Sequence, residues 1–150
     1  FITVEVGPDH TQHWVHKALL THHSEYFRNA LKGLWQEAVE GLVRLEDVEP
    51  CAFNIPLDWI YTGKLPGWSA TEWLKAGDID INDAKDWPEI VTQTILLMFR
   101  SCVLGDQLLA PFFHQAVNNL YVTNKASATW PYSYKSVVFG FANLPEHSPI

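Results

Sequence analysis

Ile2-Thr-Val-Glu-Val6 alternates apolar and polar residues with a period of two, and the β-branched side chains add strand preference. Gly7-Pro8-Asp9 then supplies a turn, and His13-Trp-Val15 resumes the extended pattern, so the opening predicts a β-hairpin. From His16 the period lengthens. Ala18, Leu19 and Leu20 predict a short helical patch ending near Thr21-His22-His23. Ser24 is suited to cap a second helix, with Glu25 beside the positive end of its dipole, Phe27, Ala30, Leu31 and Leu34 on one face and Gly33 as its end. Leu42-Val43-Arg44-Leu45 predicts a short strand.

Pro50 suits the first turn of a helix that carries Phe53, Leu57, Ile60 and Tyr61 toward the core and stops at Thr62-Gly63. Pro56 removes one backbone hydrogen bond from that helix, so a kink is expected there. Residues 64–89 hold Pro66, Gly67, Gly77 and aspartates at 78, 80, 83 and 86, and predict an irregular surface excursion. Ile90 to Leu104 repeats Ile90, Val91, Ile95, Met98, Phe99, Cys102 and Val103 near helical spacing, predicting a mostly buried helix with Gly105 in a left-handed C-terminal position. Pro111 opens another helix with Phe112, Phe113, Ala116, Val117 and Leu120, and Ser133 is placed to cap a last one reaching about Ala142. A hairpin, two helices, a strand and then helices amount to an α+β fold, a cluster of helices flanked by a small β-sheet with an extra C-terminal helix.

Composition narrows the function. The chain has 150 residues, 47% hydrophobic and 18% charged, which suits one globular domain. Seventeen acidic residues against ten Lys plus Arg give a net charge of −7, which argues against nucleic acid or an anionic membrane as partner. The longest apolar run, Ile95 to Phe99, is far short of the roughly 20 residues that span a bilayer, and no charged-then-apolar leader opens the sequence. Cys51 and Cys102 are too few for a disulfide framework, so buried thiols and an intracellular location, cytoplasmic or nuclear, are expected. The chain opens at Phe1 and its single methionine is Met98, so it reads as a segment of a longer protein. Seven Trp, eight Phe and five Tyr favour a binding module, since aromatic side chains carry much of the energy of cores and interfaces.

Candidate chemistry is sparse. Asp78-Ile-Asp80-Ile-Asn82-Asp83 followed by Glu89 nearly reproduces a calcium-binding loop, but Asp83 stands where the sharp turn wants Gly, Lys85 replaces a hydrophobic residue and Pro88 precedes the Glu. An acidic surface loop is the competing reading. His10, His13 and His16 do not suit zinc, because strand alternation does not point residues three apart to the same side. His16 is expected inside the domain, satisfying backbone groups. Cys51 with His114 is the one conceivable nucleophile and base, yet neither sits in a recognisable motif. No Gly-rich phosphate loop is present. No cofactor and no enzymatic activity are expected.

Several strings resemble the BTB/POZ domain, specifically its fungal branch. Trp14-Val15-His16-Lys17-Ala18-Leu19-Leu20 is similar to the family's F-x-V-H-K-x-x-L segment, Ser24-Glu25-Tyr26-Phe27 to its S-x-Y-F, and Gly33-Leu34-Trp35-Gln36-Glu37-Ala38 to the fungal G-x-F-x-E. Asp47-Val48-Glu49-Pro50, Phe53 and Trp59-Ile60-Tyr61-Thr62-Gly63 resemble the D-V-x-P…F and W-x-Y-T-G signature. Leu104-Gly105-Asp106-Gln107-Leu108 with Ala110-Pro111 is similar to the hinge between the last two domain helices, and Leu144-Pro145-Glu146-His147-Ser148-Pro149 resembles a fungal segment after the domain.

The resemblance implies a BTB/POZ domain over residues 1–126 with an insertion at 64–89, and the start of a C-terminal helical extension over 127–150. It implies no catalytic centre, protein partners and homodimerisation, with Lys17, Leu20 and Thr21 as candidates for the dimer face against the alternative of a solvated helix face. A co-repressor groove is not implied, because its aspartate position falls at about Phe1. Animal adaptors of the family dock on the cullin scaffold of ubiquitin ligases through a hydrophobic-x-Glu motif. Trp35-Gln36-Glu37 resembles it and makes Trp35 and Glu37 candidate partner-binding residues, the alternative being that Trp35 covers the core.

Overall fold

The computed structural model describes residues 1–67 and 69–126, with side chains through 123. The opening hairpin forms as expected from β1 (Ile2–Val6) and β2 (Thr11–Val15), paired antiparallel with Val4 opposite His13. β3 (Leu42–Leu45) adds to the other side of β1 in parallel, giving the order β2-β1-β3 among the described residues. The alternation read from the sequence is the alternation of burial: Ile2, Val4, Val6, Val43 and Leu45 face inward. On the outer face Glu5 accepts from Gln12 at 3.2 Å and pairs with Arg44 at 3.2 Å.

α1 (Lys17–His23) ends at Thr21-His22-His23 as expected. Ser24 caps α2 (Glu25–Ala30) as expected, its hydroxyl accepting from the Phe27 amide at 3.2 Å and donating to the Leu108 carbonyl at 2.5 Å. α2 ends three residues before the expected stop. Leu31 caps it, the chain turns before Gly33, and the change of phase leaves Leu34 in water instead of on the buried face. A further short helix follows, α3 (Gln36–Glu40), which the periodicity did not indicate.

α4 (Pro50–Thr62) starts on Pro50 and ends at Gly63, whose φ of 69° is the left-handed conformation that glycine adopts freely. The helix stays continuous through the buried Pro56, where a kink was expected. Phe53 faces the core, whereas Tyr61 is half exposed rather than buried.

Residues 64–89 depart most from expectation. They contain α5 (Ala70–Ala76), whose Trp73 and Leu74 are fully buried, so the stretch contributes to the core instead of looping over it. The Trp73 indole donates to the Gly67 carbonyl at 3.1 Å, which removes the cost of burying its N–H. α6 (Trp87–Gln107) begins three residues earlier than read, because Asp86 caps it by accepting from the Glu89 amide at 2.9 Å.

α6 is buried along most of its length, and its two interior hydroxyls are satisfied within the fold. Thr94 donates to the Ile90 carbonyl at 2.9 Å and Ser101 to the Leu97 carbonyl at 2.8 Å. Gly105 is not the left-handed terminator expected. It lies inside α6, and Leu109 takes the positive φ of 49°. The absent side chain lets α7 (Pro111–Ala126) approach: a Cβ at Gly105 would meet Phe113 at 2.9 Å and the His114 Cα at 3.2 Å. The expected helix beginning at Ser133 lies outside the described residues. Among the described residues no helix is long and apolar enough to cross a membrane.

Gly105→Ala therefore gains helix propensity but forces α7 outward, and urea unfolding is expected to show a net loss of roughly 1–2 kcal/mol. An unchanged or raised midpoint would mean that the α6–α7 packing gives way without cost.

Candidate functional site

The segment 34–40 stands open on the surface, shaped by backbone bonds and one side-chain bond along α3. Trp35 precedes α3 with extended backbone, and its carbonyl accepts from the amides of Ala38 and Val39 at 3.0 Å each. Gln36 donates to Glu40 at 2.8 Å along the helix surface, and Gly41 closes the helix. No residue of α3 is buried. Leu34 is 94% exposed, Val39 72% and Trp35 68%, so Trp35 does not cover the core. Glu37 is exposed in the first turn, close enough to Tyr26 that its charge, after burial, raises the tyrosine pKa. Large apolar side chains in water beside a carboxylate are the combination that a protein partner can cover.

Of the residues singled out for a dimer face, Lys17 is exposed, Thr21 is half-buried and Leu20 is buried at 4% within the chain's own core. The Thr21 hydroxyl donates to the Lys17 carbonyl at 3.0 Å. What remains open nearby is aromatic: Trp14 on β2 is 76% exposed and Phe1 82%. The Phe1 ring lies tilted against His16, with ring centroids 4.0 Å apart.

His16 is exposed, not internal, and its ring meets a side chain instead of backbone groups. The His16 amide donates to the Tyr61 hydroxyl at 3.1 Å, and that hydroxyl lies 2.8 Å from His16 Nδ1. The pair ties the start of α1 to the end of α4.

The remaining sequence candidates separate in space. His10 pairs with Glu5 at 3.5 Å, His13 faces the Phe53 ring at 5.2 Å, and His16 meets Tyr61. In the acidic loop, Asp80 accepts from the Asn82 amide at 2.9 Å and Glu89 from the Lys85 amide at 2.8 Å, while Asp86 caps α6. These carboxylates serve the turn and the helix start, and among the described residues no group of three or more His, Cys, Asp or Glu is arranged to hold a metal ion.

Cys51 and His114 do not meet. The Cys51 thiol lies 3.6 Å from Glu49, whereas His114 contacts Cys102, its Nδ1 3.0 Å from the Cys102 carbonyl and both ring nitrogens 3.7 Å from the sulfur. Burial and then Asp106 push the Cys102 thiol up to about 12, so it stays protonated and unreactive. Cys51, expected buried, is only half so; burial and Glu49 raise its pKa as well.

Burial holds the pKa of His13 and His23 below 6.5, with neighbouring His22 adding to the effect at His23. A group harder to protonate in the folded state lets the unfolded chain take up more protons. Stability should then be full above pH 6.5 and fall as pH drops through 6.5 toward the folded-state values. Urea midpoints at pH 7.5 and 5.5 are expected to show this loss, and His13→Gln to reduce it. Identical pH dependence in wild type and variant would exclude His13 as a source.

Sequence reading found Trp35 and Glu37 but missed Leu34 and Val39, since Leu34 was in phase with the buried face of α2. The only advance signal was the polar run Gln36-Glu37 and Glu40 around Val39, which leaves no apolar stripe to bury.

A comparison with protein families matches residues 2–78 to the BTB/POZ domain, a span that runs from β1 through α5. No curated protein matches the chain. The hairpin, the parallel third strand and the surrounding helices carry that match over half the sequence, and the chain belongs to the BTB/POZ domain family, whose members are non-catalytic protein–protein interaction modules.

Proposed function

We propose that this chain is an adaptor-type interaction module that recruits a protein partner through Leu34, Trp35, Glu37 and Val39. The supporting observation is the exposure of three large apolar side chains within six residues, Leu34 and Trp35 just before α3 and Val39 on it, in a helix that gives none of its residues to the core. A single exposed Leu needs no explanation, but this grouping beside Glu37 combines an aromatic anchor with an orienting charge. The similarity of Trp35-Gln36-Glu37 to the hydrophobic-x-Glu motif makes the cullin scaffold of a ubiquitin ligase the partner to test. The strings quoted from the fungal branch support membership of that branch and an intracellular location, cytoplasmic or nuclear.

A homodimer along the hairpin and α1 is the second reading. It is favoured by Trp14, left 76% exposed on an edge strand, with Lys17 exposed and Thr21 half-buried on the adjoining helix. Leu20 would support such a face from beneath, since it is already buried.

Calorimetric titration with a purified cullin N-terminal domain is expected to show binding that Trp35→Ala and Glu37→Ala each weaken at least about tenfold, with folding stability changed by no more than about 0.5 kcal/mol. Binding indifferent to both substitutions would exclude the segment. Light scattering of the whole chain is expected to give a dimer mass that Trp14→Ser with Lys17→Glu converts to a monomer. A monomer mass for the unsubstituted chain at high concentration would exclude the dimer.

A further inference from the structure

A cleft of about 290 Å³ lies where the α6–α7 turn meets the start of α2. Leu109, Ala110 and Pro111 give it apolar lining, and Glu25 and Asp106 give it two carboxylates. Its backbone groups are engaged in holding the elements together. The Glu25 amide donates to the Leu109 carbonyl at 3.1 Å, and the Ala110 amide to the Gly105 carbonyl at 2.8 Å. His114 also borders the cleft, but its Nδ1 meets the Cys102 carbonyl.

The carboxylates are different. Neither Glu25 nor Asp106 has an ion-pair or side-chain hydrogen-bond partner among the described residues, and no Lys or Arg lines the cleft. Arg28, on the same helix as Glu25, is turned away and donates to the Thr21 carbonyl at 3.1 Å. In the cleft wall the fold leaves Leu109 49% exposed, and Phe112, which follows the lining residue Pro111 in the chain, is 71% exposed. Unpaired carboxylates next to uncovered apolar side chains complement a cation flanked by apolar groups.

We propose that this cleft docks a basic, apolar segment of a partner protein, its Lys or Arg pairing with Glu25 and Asp106 and its Leu- or Phe-sized side chains covering Leu109 and Phe112. The proposal rests on the reading of the chain as an interaction module, but uses residues other than Trp35 and Glu37.

The test is fluorescence anisotropy of the whole chain with a labelled six-residue peptide of alternating Lys and Leu, against the same peptide with Glu in place of Lys. The Lys peptide is expected to bind and the Glu peptide not. Glu25→Gln with Asp106→Asn should weaken binding at least about tenfold, as should Phe112→Ser with Leu109→Gly. Glycine suits the positive φ at 109, so that pair is expected to keep the fold. The control pair Glu46→Gln with Asp83→Asn removes the same charge at exposed positions elsewhere and should leave binding unchanged. Equal loss in the control would show diffuse attraction to the net charge of −7 and overturn the proposal, as would equal binding of the two peptides. The cullin titration repeated on the Glu25 and Asp106 variant should be unaffected, which separates failure of this cleft from failure of the 34–40 segment.

Discussion

Burial of α6 is the constraint on which the rest of the structure depends. Its inward residues from Val91 to Leu104 belong to the same buried cluster as Phe27 of α2, Phe53 of α4, Trp73 of α5 and Phe113 of α7. The hydroxyls that the helix carries into the core, those of Thr94 and Ser101, are met by the helix's own carbonyls, whereas Gln93 Oε1 on the same helix is buried without a hydrogen-bond partner. The C-terminal end is fixed from outside. The Ser24 hydroxyl and the Tyr26 amide both donate to the Leu108 carbonyl, so the cap of α2 also anchors the end of α6. One serine thereby sets the position of α2 against the α6–α7 turn.

Elements away from this axis are left with little to bury, and there the candidate surfaces arise. α3 is five residues long and lies between a turn and β3, so Leu34, Trp35 and Val39 have no helix face to pack against. β2 is an edge strand with Trp14 on the open side of the sheet. The α6–α7 turn takes its sharpest step at Leu109, which leaves that side chain and Phe112 outside. In each place apolar surface remains exposed because short-range geometry outweighs burial.

What the sequence made legible follows the same division. Period-two alternation in Ile2–Val6 and helical spacing from Ile90 onward are direct consequences of burial against one core; the strand stands where the pattern put it, and the helix contains the expected stretch and extends it by a turn at its start and three residues at its end. Where two causes compete, the pattern misled. Leu34 kept the phase of α2 after the helix had stopped, Tyr61 kept the phase of α4 but found a hydrogen bond to His16, and Gly105 took its role from contact with α7 instead of from its φ. Trp73 was obscured by the aspartates and glycines around it, since a seven-residue helix is too short to show a period. At the candidate site, Trp35 and Glu37 were legible through resemblance to a known motif, while their exposure was a fact of the fold alone.

The central claim is that partners are recruited by the outward apolar segment beginning at Leu34. Hydrogen–deuterium exchange of the whole chain, with and without a purified cullin N-terminal domain, tests it most directly. The expected result is slowed exchange confined to the amides of 34–41, with those of α6 unchanged. Exchange along 34–41 that stays as fast in the presence of a bound partner would contradict the account.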